Sequence, residues 1–241
     1  MSLISDFKRT GDKKYLQEFY SSKEYVAIYK ELKPLWIKKY KLICKLMKLK
    51  KGDKVLDVGC ARKQLKAFLP KNIKYTGGDI STTFKPDLIL DAENMKNIKD
   101  KTYDWVIFLD VLEHLPNPDK ALLEAKRVSK KVILTVPNLY RGDSLTFVSR
   151  LLVDRHLTKR RPNKWVKAVK TTGLSINLMR GFYYCPSIFD FRILRSINKI
   201  LESKPFQKVD NILNRHAHKS ILKQLGQEII IIAEDHGIKK K

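Results

Sequence analysis

The apolar positions change their period part-way along the chain. Over residues 15–50 they fall at helical spacing: Tyr25, Ile28, Tyr29 and Leu32, then Leu35 and Trp36, then Tyr40, Ile43, Cys44 and Met47, with lysines opposite. Pro34 is expected to break this run and Gly52-Asp53 to end it. From residue 54 short, nearly unbroken apolar runs take over, as strands covered on both faces require. KVLDV (54–58), IKYTGGDI (73–80), DLILD (87–91), DWVIFLD (104–110) and KVILTV (131–136) read as strands, followed by GLSINLM (173–179) and EIIIIA (228–233). Asn117-Pro118 opens a helix with Ala121, Leu122, Ala125 and Val128 on its apolar face. Leu145, Phe147, Val148, Leu151 and Leu152 form an amphipathic stretch ahead of the basic run RHLTKRRPNK (155–164), and residues 187–201 and 206–224 read as further helices. Strands alternating with helices predict an α/β fold built on a parallel, doubly wound sheet. Residues 1–50 form a helical N-terminal extension, and segments at about 138–172 and 183–226 are long enough to build a lid.

Charge changes this picture at the flanks. The 241 residues carry 50 basic and 25 acidic groups, a formal charge of +25. Residues 1–54 have a net charge of +9 and residues 141–241 of +13, while the middle is nearly balanced at +3. A large anion would meet the flanks, whether nucleic acid, an anionic membrane surface or a phosphorylated substrate; a solvated lysine-rich surface accounts for the same numbers. Three widely spaced cysteines, Cys44, Cys60 and Cys185, make neither a disulfide framework nor a zinc pattern. The N-terminus lacks the apolar core of a signal peptide, and the longest aliphatic run, Ile229 to Ala233, is too short to span a bilayer. The expectation is a soluble, cytoplasmic protein, with peripheral membrane attachment left open.

Candidate chemistry collects at the strand ends. In an open parallel sheet, ligands lie beyond the carboxyl ends of the strands. Those ends supply Asp57, Gly59, Cys60 and Ala61 from the first strand, and Asp79 and Ile80 from the second. The third supplies Asp91 and Ala92, and the fourth Leu109 and Asp110. Asp79 follows Gly59 by 20 residues, the interval at which a carboxylate holds a ribose diol. The turn after Gly59 reads Cys-Ala-Arg-Lys-Gln, without the further glycines a pyrophosphate needs. The ligand implied is a nucleoside without phosphates. Each carboxylate taken singly reads equally as a helix cap or a surface charge.

VLDVGC, GGDI, LILDAENM, YDWVIFLDVLEHLPNPDKALLEAKRV and VILTVPN stand in order, with spacing that resembles the class I S-adenosylmethionine-dependent methyltransferases, in particular the group that includes ubiquinone-pathway O-methyltransferases. The resemblance covers about residues 40–140 well and the two last strands more loosely. It implies a Rossmann-like, mostly parallel seven-stranded sheet over residues 51–241, with S-adenosyl-L-methionine as cofactor. In that reading Gly59 to Ala61 pass under the methionine part, and Asp57 anchors the loop near its amino group. Asp79 holds the ribose, Asp91 and Ala92 meet the adenine, and the Leu109 carbonyl receives the methionine ammonium. The family's loop usually reads GCGxG, and a subset carries GCGxKP; here Ala61 and Lys63 stand at the later glycine positions. Ala61 adds one methyl, tolerable where the backbone needs no positive φ. The family's Gly-Gly turn before the fifth strand is also missing, since RVSKKVIL runs straight on.

Asp110, Glu113 and His114 admit three readings. His114 on the rim suits a base that removes or orients an acceptor hydroxyl proton. The D-x-x-E-H spacing resembles E-x-x-E-H in some ubiquinone-pathway enzymes and small-RNA 2′-O-methyltransferases, and can bind a divalent cation. A plain structural turn is the third. Tyr140 and Arg141 follow VPN closely and are the candidate acceptor-binding residues; Trp165, Tyr183 and Tyr184 lie in the same part of the chain. The resemblance implies methyl transfer to a small-molecule, lipid-linked or glycan-linked acceptor, with relatives and His114 pointing to oxygen and nitrogen and carbon acceptors left open. An RNA methyltransferase using the basic flanks, and a binding module that has lost the cofactor, are the rival readings.

Overall fold

A computed structural model describes residues 3–138, 156–183, 204–216 and 226–237. Tyr140, Arg141, Tyr184, the amphipathic stretch at 145–152 and the helix expected over 187–201 lie outside the described residues.

Four helices precede the first strand: α1 (Leu3–Thr10), α2 (Lys14–Ser21), α3 (Lys23–Ile28) and α4 (Pro34–Met47). Ser22 starts α3 by accepting from the Tyr25 amide at 3.2 Å. Pro34 opens α4 rather than merely breaking the run, as its fixed φ and missing N–H allow at the first position. The helix stops at Met47, short of Gly52-Asp53, because Lys48 turns left-handed at φ +49°. A competing turn then takes over, with the Lys50 amide donating to Asp53 Oδ2 at 2.8 Å.

The strands are β1 (Lys54–Val58), β2 (Lys74–Asp79), β3 (Leu88–Ile89), β4 (Tyr103–Leu109), β5 (Ser129–Pro137), β6 (Ser175–Phe182) and β7 (Glu228–Glu234). They form one seven-stranded sheet in the order β3-β2-β1-β4-β5-β7-β6. β1 is parallel to both β2 and β4, β2 is parallel to β3, and β6 is antiparallel to β7. Val55, Leu56, Val106, Ile107, Phe108, Ile133, Leu134 and Ile229 to Ile231 are all but inaccessible, so the central strands supply the core. Only two residues of DLILD pair as strand, because β3 is an edge: Ile89 is 69% exposed.

The chain forms two compact units, 1–108 with 123–132, and 109–122 with 133–241. Within the first, the missing Gly-Gly turn is explained at Ser129. Helix α5 (Pro118–Val128) passes straight into β5, and the buried Ser129 hydroxyl donates to the Ala125 carbonyl at 2.7 Å. A side-chain hydroxyl thus satisfies a helix-end carbonyl that a glycine turn would otherwise serve. Within the second, helix α6 (Pro162–Thr171) grows out of the basic run, with Pro162 at its first position and Trp165, Ala168 and Val169 buried. Trp165, 1% exposed, is core. Helix α7 (Lys204–Arg215) lies ahead of β7. Among the described residues, no helix is long and apolar enough to cross a membrane.

Candidate functional site

The turn after β1 is fastened to the end of β2. Register sets Val58 beside Gly78 and Asp79 beside Ile89, so Asp57, Asp79 and the segment leading to Asp91 emerge at the same end of three adjacent strands. Gly59 and Cys60 both donate their amides to the Gly78 carbonyl, at 2.8 and 3.1 Å. The Ala61 amide donates to Asp79 Oδ2 at 2.9 Å, and the Ser81 amide to Asp79 Oδ1 at 2.9 Å. Asp79 therefore holds the turn; the Ile80 amide adds a third backbone hydrogen bond to its carboxylate, which leaves one acceptor position for a hydroxyl. The condition attached to Ala61 fails. Its φ is +41°, between Gly59 at +72° and Lys63 at +55°. An alanine there carries strain of about 1–2 kcal/mol, opposed by the amide bond to Asp79. Arg62 and Lys63 turn away from the three carboxylates: the Arg62 guanidinium lies 5.2 Å from the Phe84 ring centre, and Lys63 pairs with Asp87.

The N-terminal helices reach the same rim. Lys13 Nζ donates to Asp91 Oδ2 at 2.6 Å and to Glu93 Oε2 at 2.9 Å. Ser21 and Ser81 share a hydroxyl hydrogen bond of 2.8 Å. Tyr29 connects the ring series Tyr20, Tyr25, Tyr29 to Trp36 at 5.4 Å and to Phe84 at 5.9 Å. Ile80 is half-buried and Ala92 is buried.

In the second unit, Leu109 closes β4 and Asp110 turns left-handed at φ +56°. The Asp110 amide donates to Thr135 Oγ1 at 3.0 Å, while Thr135 Oγ1 donates to Asp110 Oδ1 at 2.6 Å. Glu113 and His114 sit in the next turn, a 3₁₀ segment over Leu112–His114. The structure groups them with His156 rather than with Asp110; one ligand-capable atom from each of the three lies within 4.8 Å of the others. Of the three groups in the D-x-x-E-H spacing, Asp110 is instead engaged by Thr135.

The fold agrees with what known proteins show. Residues 30–177 match the methyltransferase domain family. The chain belongs to that family. An uncharacterized protein of Methanocaldococcus jannaschii is 31% identical over 201 residues, spanning 79% of this chain and 82% of its own. A SAM-dependent methyltransferase from Archaeoglobus fulgidus superposes with a TM-score of 0.55 at 21% identity, covering 82% of this chain and 93% of that one. The Haemonchus contortus phosphoethanolamine N-methyltransferase 2, solved with S-adenosyl-L-methionine, gives a TM-score of 0.56 at 14% identity, over 91% of this chain and 59% of its own. At these identities the two solved structures establish the shared fold.

The electrostatics of this methyltransferase domain centre on buried carboxylates. Asp57 is 4% exposed and accepts from the Tyr75 hydroxyl at 2.7 Å. Burial raises its pKa to about 7, the Tyr75 bond opposes that, and the Asp79 charge adds to it. Burial likewise raises Asp79, against the Ser81 and Ala61 amides. Burial also pushes the Cys60 thiol well up, which keeps it neutral and unreactive. Several contributors carried no motif. Tyr75 and Lys13 are ordinary residues in sequence. Gly77 and Gly78 are close-approach positions: a Cβ on Gly77 would lie 2.8 Å from Cys60 Sγ, and one on Gly78 would lie 2.7 Å from Leu90 Cδ2. Two adjacent glycines inside a strand were the available signal for this close packing.

Proposed function

We propose that this chain transfers a methyl group from S-adenosyl-L-methionine to an oxygen of a small-molecule, lipid-linked or glycan-linked acceptor. The observation that carries the reading is the turn over Gly59–Ala61, tied to Gly78 and Asp79 at the carboxyl ends of β1 and β2. Its surroundings offer acceptors, in Asp57, Asp79 and Asp91, and its glycine content is too low for a pyrophosphate cradle. That set of acceptors fits a nucleoside with two ribose hydroxyls and a cationic amino acid tail.

The cofactor supplies an electrophilic sulfonium methyl, whose transfer breaks one S–C bond and forms one O–C bond. The chain's own residues position and neutralise. Asp79 would accept from a ribose hydroxyl, Asp91 and Ala92 would border the adenine, and Asp57 would favour the tail's ammonium. Positive charge disperses on the way to the transition state, so orientation supplies most of the rate. His114, past the end of β4, acts on the acceptor hydroxyl's proton. The basic flanks are proposed to meet an anionic acceptor or an anionic membrane surface.

Thermal unfolding with S-adenosylmethionine and S-adenosylhomocysteine tests the reading. Ligand at about 100 times its dissociation constant stabilises by roughly 2.7 kcal/mol. The wild type is expected to shift and Asp79→Ala to lose the shift. No response of either protein at millimolar ligand overturns it.

A further inference from the structure

We infer that Glu113, His114 and His156 form a binding site for a first-row divalent transition metal ion of the zinc type. The inference deepens the proposed function, and rests on its reading of the acceptor as a hydroxyl only for the role given to the ion.

The three residues come from two segments 42 positions apart. Glu113 and His114 occupy the 3₁₀ turn after β4, held by the His114 amide on the Val111 carbonyl at 2.9 Å. His156 arrives on the irregular segment ahead of α6. That segment is pinned to the same turn at two points. The Thr158 amide donates to the Glu113 carbonyl at 2.9 Å, and the Thr158 hydroxyl to the Leu115 carbonyl at 2.8 Å. Arg160 adds a two-pronged contact to Asp119, at 2.6 and 2.8 Å. These bonds fix His156 against the Glu-His turn, and none of them uses the side chains of the three residues.

The ligand-capable atoms of the three side chains converge. His114 Nε2 stands 4.0 Å from Glu113 Oε1, beyond hydrogen-bond range. The His114 and His156 rings are 5.0 Å apart between centres and tilted by 56°, so they are not stacked. Metal–ligand bonds of 2.0–2.1 Å set ligand atoms about 3.3 Å apart in a tetrahedral site. Here the atoms already lie within 4.8 Å of one another, and side-chain rotation closes the remainder. Glu113 is 2% exposed. Two imidazoles and one carboxylate are the donor set of open, catalytic zinc sites, and they disfavour magnesium and calcium, which take oxygen. Three protein ligands leave a coordination position open. A hydroxyl bound there becomes more acidic and releases its proton to water. In that case His114 acts on the acceptor through the ion.

The test uses the full chain, stripped with a chelator and exchanged into metal-free buffer. Zinc is titrated calorimetrically and cobalt(II) by its visible absorption, with magnesium as the comparison ion. The expected result is about one zinc or cobalt ion per chain, with affinity lower by at least ~100-fold in His156→Ala and in the milder His156→Asn. His216→Ala, at the exposed end of α7, is expected to bind as the wild type does. Circular dichroism and unfolding midpoints establish that each variant is folded. Wild type that takes up no zinc, zinc uptake unchanged in both folded His156 variants, or tighter binding of magnesium each overturns the inference. None of these readouts requires methyl transfer, so failure of the proposed reaction and failure of the metal site are separate results.

Discussion

Lys13 grips Asp91, with its ammonium 2.6 Å from one carboxylate oxygen. The contact joins residues 78 positions apart and ties the N-terminal helices to the segment after β3. Burial works against the Lys13 charge, but the Asp91 and Glu93 carboxylates outweigh it and hold its pKa above the ordinary lysine value. Both partners are about one-third exposed, so the pair contributes less than about 1 kcal/mol to global stability. Its consequence is local. Lys13→Met is expected to raise amide exchange across α1–α3 while leaving β1, β2 and β4 unchanged. Dissociation of S-adenosylhomocysteine, measured by stopped flow, becomes faster in the same variant. Equal exchange in both proteins would show that Ser21–Ser81 and the aromatic rings hold these helices without Lys13.

Asp57 makes stability depend on pH. In the unfolded chain it titrates near the usual aspartate value of about 3.9, whereas burial holds the folded value at about 7. Below about pH 4 both states carry the proton and the group contributes nothing. Between about pH 4 and pH 7 the unfolded chain releases its proton while the folded chain keeps it, so stability falls as pH rises; above that window the loss is constant. A tenfold difference in proton affinity between the two states corresponds to about 1.4 kcal/mol. Asp57→Asn keeps an acceptor for Tyr75 and removes the titration. Urea midpoints of the two proteins are expected to coincide near pH 4 and to diverge up to about pH 7, with the variant more stable by a few kcal/mol. Parallel curves across that range would mean that Asp57 is ionised in the folded state.

The parallel core was legible because burial on both faces leaves unbroken apolar runs. KVLDV matches β1 residue for residue, and β4, β5 and β7 fall within one or two residues of the expected runs. The strand-end carboxylates were legible for the same reason, since a strand fixes where its last side chain emerges. What escaped was set by tertiary contacts. Ala61 gives no sign that its backbone is left-handed; that follows from the Gly78 and Asp79 bonds. His156 reads as one more polar residue in RHLTKRRPNK, and the Thr158 bonds that bring its segment to Glu113 join positions far apart in sequence. Pro162, followed by Trp165, Ala168 and Val169, did carry a helix signal in that stretch, but the density of charge concealed it.

The turn after β1 is strained at Ala61 and the strand it is fastened to is crowded at Gly78, and the two respond oppositely to a single methyl. Ala61→Gly relieves a left-handed alanine, a gain of about 1–2 kcal/mol, less the ~0.4–1 kcal/mol that glycine's freedom costs in the unfolded chain. The variant is expected to be as stable as the wild type or up to about 1.5 kcal/mol more so. Gly78→Ala adds a Cβ that would fall 2.7 Å from Leu90 Cδ2. It is expected to cost about 1–3 kcal/mol, because Leu90 is buried and must shift. Chemical denaturation of the two variants checks both signs. A destabilised Ala61→Gly would show that the turn relaxes its φ in solution.

The clamp between Arg160 and Asp119 governs the segment that carries His156. Its two parallel hydrogen bonds are the strong form of ion pair, and the Arg160 guanidinium also lies 5.1 Å from the Trp165 ring centre. The bonds from Arg160 hold the Asp119 carboxyl below its ordinary pKa, against a smaller opposing effect of burial. A lowered folded pKa places the stabilisation above the unfolded value of about 3.9 and removes it as pH falls through the folded one. Since Asp119 is half exposed, solvent screening limits the pair to about 1 kcal/mol. Asp119→Ala is therefore expected to cost about 1 kcal/mol at pH 7, and progressively less as pH falls below the unfolded value. The larger effect falls on order: amide exchange over 156–161 rises, and zinc uptake by the stripped chain weakens, because the segment that carries His156 has lost one of its fastenings. If exchange in that segment is unchanged while the global midpoint drops, the clamp stabilises the start of α5 and has no part in placing His156.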